Sequence, residues 1–281
     1  MGRVVIVVLF IVIFLGGLSF LLYPAISDYY NSIEHKKVVD HYNIVIENLS
    51  ESDYSEILEA ARMYNSMLAS KPNRFKMTDD EKKVYESLLD PAGSGVMGML
   101  EIEAIDIKLP IYHGTDVDVL QVGLGHLRGS SLPIGGSGTH AVITGHRGLP
   151  SSTLLTHLDR LIPGDTFIVN ILGDTLIYMV DNMTIVLPQD TSELSIITGA
   201  DYCTLLTCTP YGINTHRLLV RGHRIDSIET QIQQRPSHIP SDAHVLADAT
   251  AAIIIVIPTA LAVLIILFIR LRRVYGRGKK P

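Results

Sequence analysis

Cys208 and Arg217 are the residues whose types and spacing most suggest chemistry in this chain. Cys208 closes the β-like run "YCTLLTC", the loop "TPYGINT" follows, and Arg217 opens the next run, "RLLVRGHR". Four readings of Cys208 compete: core packing, half of a disulfide, a metal ligand, or a nucleophile. A cysteine nucleophile reacts as its thiolate, so its site must help it ionise and must stabilise the oxyanion that acyl transfer produces. If the two runs pair as antiparallel strands, Cys208 and Arg217 meet at the same end of the sheet. Arg217 stays protonated and cannot act as a base. It can hold a thiolate or a carbonyl oxygen and bind a substrate backbone.

The other readings are tested by spacing. Cys203 and Cys208 are the only cysteines. In an extended run the five steps between them cover roughly 16 Å and leave them on opposite faces, beyond the ~7 Å that a disulfide tolerates between Cα atoms. Two cysteines without CxxC spacing also make a poor zinc site. Core packing stays open for Cys208, since free cysteine is often a small buried hydrophobe, and it suits Cys203 better. A proton carrier is still needed, and eleven histidines compete for the role. His146 follows "AVIT" in "ITGHRG", at a strand end where a glycine lets a side chain open into a cleft. His140, His113, His126 and His223 remain alternatives.

The elements that must position these residues divide the chain in two. Residues 25–70 have apolar side chains at three- and four-residue steps, which predicts amphipathic helices packed on the domain. A third helix is expected from Thr78, where Thr78 and Glu81 form a capping-box pattern. After "DPAGSGVMG" the texture becomes β-like: "MLEIEAIDIKLPIY", "HAVITG", "DTFIVNIL", "TLIYMV", "MTIVL", "YCTLLTC" and "RLLVRGHR", separated by Gly, Pro, Asp and Asn. This is the pattern of a sandwich or barrel.

Residues 4–23 and 251–269 carry no charge, and each would span roughly 30 Å as a helix, about one bilayer core. The first reads as an uncleaved anchor in preference to a cleaved signal. The second precedes six cations, from Arg270 to Lys280, which place the tail in the cytoplasm. The expected order is an anchor over 1–23, a helical region over 24–94, and a β domain over 95–226. A linker over 227–250, a second membrane helix over 251–269 and a basic tail over 270–281 follow. Both termini then face inward and the β domain lies outside the cell. Setting aside Arg3 and the six tail cations leaves 16 basic against 29 acidic side chains. An outer domain near −13 makes nucleic acid a poor partner.

The stretch TLLTC (residues 204–208) resembles the TLxTC signature of sortases. "ITGHRG" is similar to their histidine segment and "LLVRGHR" to the strand carrying their arginine. The similarity runs from about residue 95 to 224, and the C-terminal membrane segment with "TPYGINTHRLLVRGHR" resembles class C, the pilin-polymerising sortases of Gram-positive bacteria. The resemblance implies an eight-stranded sortase β-barrel with N-terminal helices, flanked by two transmembrane helices. It implies that Cys208 attacks the Thr–Gly bond of an LPXTG-like sorting signal and forms a thioester. His146 would be the acid/base, Arg217 would bind substrate and steady the oxyanion, and Thr207 and Leu206 would contact substrate. The acceptor would be a pilin lysine or a cell-wall precursor amine, and no metal or organic cofactor is expected. Many class C enzymes carry a lid with an Asp-Pro-aromatic motif before the barrel. Here Asp90-Pro91 is followed by Ala92 and lies after the third helix, so Asp90, Pro91 and Phe75 of "SKPNRFKMTDDE" are the candidate lid residues. The rival readings are a sortase that anchors single surface proteins and a catalytically inactive scaffolding module.

Overall fold

The computed structural model describes residues 2–227. The expected second membrane helix, the basic tail and nearly all of the linker lie outside the described residues. Helix α1, Gly2–Glu47, is continuous: it takes in the apolar run, passes Pro24, and carries on through the first amphipathic stretch. Among the described residues it is the one helix long and apolar enough to cross a membrane. Its second half buries His35, Val39 and Tyr42, which recur at three- and four-residue steps and so share one face. Tyr42 ties that face to the β domain. Its hydroxyl donates to the Met97 carbonyl at 2.8 Å and accepts from the Leu172 N–H at 3.0 Å.

Helix α2, Glu51–Ala69, is capped by the Ser50 side chain and buries Ala61, Tyr64, Asn65 and Leu68. Helix α3, Asp79–Glu86, starts at the expected capping box, with Thr78 and Glu81 satisfying each other's backbone N–H groups. Tyr85 on α3 is fully buried. Its hydroxyl lies 2.9 Å from His126 Nδ1 and accepts the Gly114 N–H at 3.0 Å, which pins α3 to the barrel.

Eight strands follow: β1 (Val96–Ile102), β2 (Ile107–His113), β3 (Leu124–His126), β4 (Thr139–Thr144), β5 (Thr166–Ile171), β6 (Asp174–Val186), β7 (Asp201–Thr209) and β8 (His216–Ile225), with helix α4 (Val117–Val122) between β2 and β3. They close into a barrel in the order β1-β2-β3-β4-β7-β8-β6-β5. Closure leaves no unpaired strand edge. Two neighbour pairs, β2–β3 and β4–β7, are parallel, and the others are antiparallel. Alternate residues point inward, as Phe167, Val169 and Ile171 do on β5, and the Phe167 ring stacks on Tyr178 at 5.5 Å.

The runs "TLIYMV" and "MTIVL", which read as two strands, are one. Strand β6 continues through the Asp-Asn pair because its register with β8 shifts between Val180 and Asn182, and the extra residue is absorbed in place. Asp181 at this irregularity holds Arg221 of β8 through Nε at 2.9 Å and Nη2 at 3.3 Å.

Candidate active site

Strand β7 lies between β4 and β8; Cys208 is on β7, Arg217 on β8, and His146 two residues past the end of β4. Alternation along β7 separates the two cysteines. Cys203 is wholly buried in the main core, whereas Cys208 is half-buried, and both are free thiols. Burial pushes the Cys203 thiol well up, with the nearby Asp201 carboxylate adding to it. Cys203 is therefore held protonated and unreactive. Leu206 shares the outer face with Cys208 and packs with Val142, Val186, Leu194 and Leu219 in a second apolar cluster.

In the antiparallel register of β7 with β8, Cys208 is directly opposite Arg217. The Arg217 Nη1 donates to the carbonyls of Asn214 at 3.2 Å and His216 at 3.0 Å. These bonds fix one end of the guanidinium at the mouth of the β7–β8 loop. On the other side, β4 runs parallel to β7 with Thr144 opposite Leu206, and Gly145 N–H continues the ladder to the Leu206 carbonyl at 3.2 Å. β4 ends at Thr144, and His146 follows it by two residues, just as Cys208 follows Leu206 on β7. The His146 ring is half-buried and has no hydrogen bond among the described residues. Cys208 and Arg217 are thus a register pair, and His146 lies two residues beyond the end of the strand on the other side of β7.

A sortase-domain family profile matches residues 100–225, which contain all three. Among solved structures, sortase C1 from Streptococcus agalactiae is 48% identical, with a TM-score of 0.66 over 68% of this chain and 99% of that one. Sortase C of Clostridium perfringens, solved with the C-terminal cell wall sorting motif, is 40% identical, with a TM-score of 0.60 over 68% of this chain and 99% of that one. Sortase D of Bacillus subtilis is 29% identical over 153 residues, 53% of this chain and 74% of its own.

The chain belongs to the sortase family.

A sortase is a cysteine transpeptidase, and of the two cysteines Cys208 is the half-buried one. The eight-stranded barrel anticipated from the resemblance is the barrel observed. Thr207 and Leu206 are placed differently from each other. Leu206 lies on the cleft face, but Thr207 points inward, fully buried, and its hydroxyl donates to the Gly145 carbonyl at 2.8 Å. That bond joins the cysteine strand to the residue preceding His146.

The competing histidines have other partners. His126 is fully buried, and its Nε2 faces the Ser131 carbonyl at 2.8 Å. His140 is bonded to the Ser195 carbonyl and the Thr204 hydroxyl at 2.9 and 2.7 Å. Burial lowers both to about 4, which keeps them neutral at ordinary pH. His113 is buried between the carbonyls of Gly95 and Leu88. His223 lies 3.5 Å from Asp181, two register positions farther along β8 than Arg221. These four hold the fold together, each at a site away from Cys208.

Two residues that the sequence reading did not weigh close the cleft's end. Arg147, next to His146, donates to the Thr209 hydroxyl at 3.2 Å and pairs with Asp159. Gly148 adopts φ +81°, and a Cβ there would lie 2.9 Å from the Tyr211 ring. The histidine loop and the β7–β8 loop are therefore packed directly together, and only glycine permits so close an approach.

The candidate lid residues also part company. The Asp90 carboxylate accepts the N–H groups of Ser94 and Gly95 at 2.9 and 3.0 Å, so it shapes the turn into β1. Phe75 instead packs against the second apolar cluster, on the face that carries Leu206. Arg74 stands 4.4 Å over the Phe75 ring and donates to the Gly129 carbonyl at 2.8 Å and to the Leu194 carbonyl. Gly129 has φ +87°, and a Cβ on it would sit 2.4 Å from the Arg74 carbonyl oxygen. The segment before α3 is thereby clamped onto the apolar cluster that includes Leu206. Among the described residues no cluster of His, Cys, Asp or Glu could hold a metal.

Proposed function

We propose that this sortase cleaves an LPXTG-like sorting signal between Thr and Gly and passes the acyl group to a lysine of a pilin subunit. Cys208 Sγ attacks the threonine carbonyl while Arg217 faces the oxyanion. Collapse of the tetrahedral species expels the glycine amine, which takes its proton from His146, and leaves a thioester on Cys208. His146 then takes a proton from the incoming lysine amine as it attacks the thioester. The observation that carries this reading is the pairing of Cys208 opposite Arg217, with His146 two residues past the end of β4, the strand on the other side of β7. The high identity to sortases C supports a pilin acceptor. Attachment of single proteins to a wall-precursor amine is the rival outcome.

The test uses the membrane-embedded protein. Incubation with an LPXTG-type peptide is expected to leave an acyl adduct on Cys208 in mass spectrometry, and addition of pilin subunits is expected to give isopeptide-linked oligomers. An adduct that is resolved only by water or by wall-precursor amines would favour the rival.

In this reading α1 is the uncleaved anchor, residues 251–269 cross the membrane a second time, and the barrel faces outward. Residues 95–226 form the catalytic domain, after the helical region 24–94. Phe75 acts as the lid in place of an Asp-Pro-aromatic motif. Its ring fills apolar floor that a substrate must reach, so Phe75→Ala is expected to speed alkylation of Cys208 and peptide hydrolysis by about 3–10-fold by removing the closed state. Unchanged rates would leave Phe75 as ordinary packing.

A further inference from the structure

We infer that Asp28 and Asn31, on the stretch of α1 just beyond the apolar segment, are positioning residues for His146. The inference rests on the role proposed above for that histidine. His146 begins a loop whose neck is closed by the Leu155 N–H on the His146 carbonyl and the Gly148 N–H on the Thr156 hydroxyl, both at 3.2 Å. Ser152, Leu154 and Leu155 are buried beneath the loop. Its tip is held by the membrane helix. The Thr153 N–H donates to Asp28 Oδ1 at 2.7 Å, and Asn31 Nδ2 donates to the Ser151 carbonyl at 2.7 Å. These two bonds join the loop to α1.

Asp28 and Asn31 stand three residues apart, on the helix face that continues through His35, bonded to the Val122 carbonyl at 2.7 Å, and Tyr42. That face is fixed to the barrel at its far end by Tyr42, so α1 does not follow the loop; the loop follows α1. Asp28 and Asn31 lie five and eight residues past Tyr23, roughly 7–12 Å above the end of the apolar run. The anchor and the catalytic loop therefore form one rigid unit. Acid–base catalysis is sensitive to small displacements, since a shift of about 1 Å can cost about a hundredfold. The tether converts the fixed position of the membrane helix into a fixed position for the imidazole.

The test compares the full chain with its Asp28→Ala/Asn31→Ala variant in lipid nanodiscs. With an LPXTG-type peptide, kcat is expected to fall about tenfold while KM stays within about twofold, the pattern of a mispositioned catalytic group. The rate of Cys208 alkylation by iodoacetamide, measured across pH, should fall, because the thiol loses a well-placed proton acceptor. Asp28→Asn keeps an acceptor oxygen and Lys37→Ala removes only an exposed pair with Glu34; both should behave as wild type. Wild-type kcat and alkylation profile in the double variant would overturn the inference. So would a lower kcat accompanied by a lower melting temperature and an unchanged alkylation profile. The alkylation arm needs no sorting peptide. Failure of the wild-type chain to turn over peptide would count against the proposed function, while the tether would still be decided by alkylation.

Discussion

Cys208→Ala is expected to abolish both thioester and polymer, while Cys203→Ala keeps wild-type turnover. The two cysteines differ by five positions on β7, and that odd spacing turns them to opposite faces. Cys203 is fully buried, and burial pushes its thiol up, so its thiolate is absent at any working pH. Cys208 is half-buried opposite Arg217. Loss of a covalent nucleophile should reduce turnover by about ten-thousandfold or more, because neither His146 nor Arg217 can form the thioester in its place. Cys203→Ala leaves a small void in the core and should cost about 1 kcal/mol of stability, visible as a modest fall in melting temperature. Peptide cleavage, intact-mass detection of the adduct and thermal denaturation, run on both variants, check this together. A Cys208→Ala variant that still turns over peptide would take Cys208 out of the chemistry. An inactive but folded Cys203→Ala would move the nucleophile to the other cysteine.

Local pattern made much of this architecture legible. The capping box at Thr78 and Glu81 begins α3 where the pattern puts it, because both partners lie within one turn. The antiparallel meeting of Cys208 and Arg217 was readable because a short loop joins their strands. Pattern put His146 first among the competing histidines but did not decide between them. Its neighbour on the other side of Cys208 comes through a parallel pairing of β4 and β7, across about 60 residues of sequence, and periodicity within one strand carries no record of such a partner. The family resemblance chose it from the competing histidines.

The same limit hid β3, only three residues long, and the short α4. It hid the inward turn of Thr207 onto Gly145 and the bonds from Asp28 and Asn31 to the histidine loop, which span 125 and 120 residues. The Asp-Asn pair inside β6 misled in the other direction. Turn-forming residues at that point mark an irregularity within a strand, and Asp181 is retained there to hold Arg221.

Arg217→Lys separates charge from shape at the oxyanion end of the site. The guanidinium uses Nη1 on the carbonyls of Asn214 and His216, which orients the plane and leaves Nε and Nη2 without a hydrogen bond among the described residues. A lysine keeps the positive charge, but its ammonium is one point on a flexible stem. Bonds to two loop carbonyls and to a developing oxyanion cannot all be served with the same geometry. Removal of a preorganised oxyanion donor costs about a hundredfold to a thousandfold in rate. Arg217→Ala should therefore lose about a thousandfold in kcat/KM and Arg217→Lys about a hundredfold. Melting temperatures should stay within about 2 °C of wild type, because the side chain is partly exposed and makes no ion pair among the described residues. Single-turnover acylation of Cys208 is the decisive measurement, since it isolates the step in which the oxyanion forms. A lysine variant that acylates at the wild-type rate would show that bulk charge suffices and the fork is idle. An alanine variant that does so would take Arg217 out of the reaction. If acylation falls as expected in both, the oriented donors opposite Cys208 contribute beyond their charge, and the loop carbonyls that hold Nη1 belong to the catalytic design.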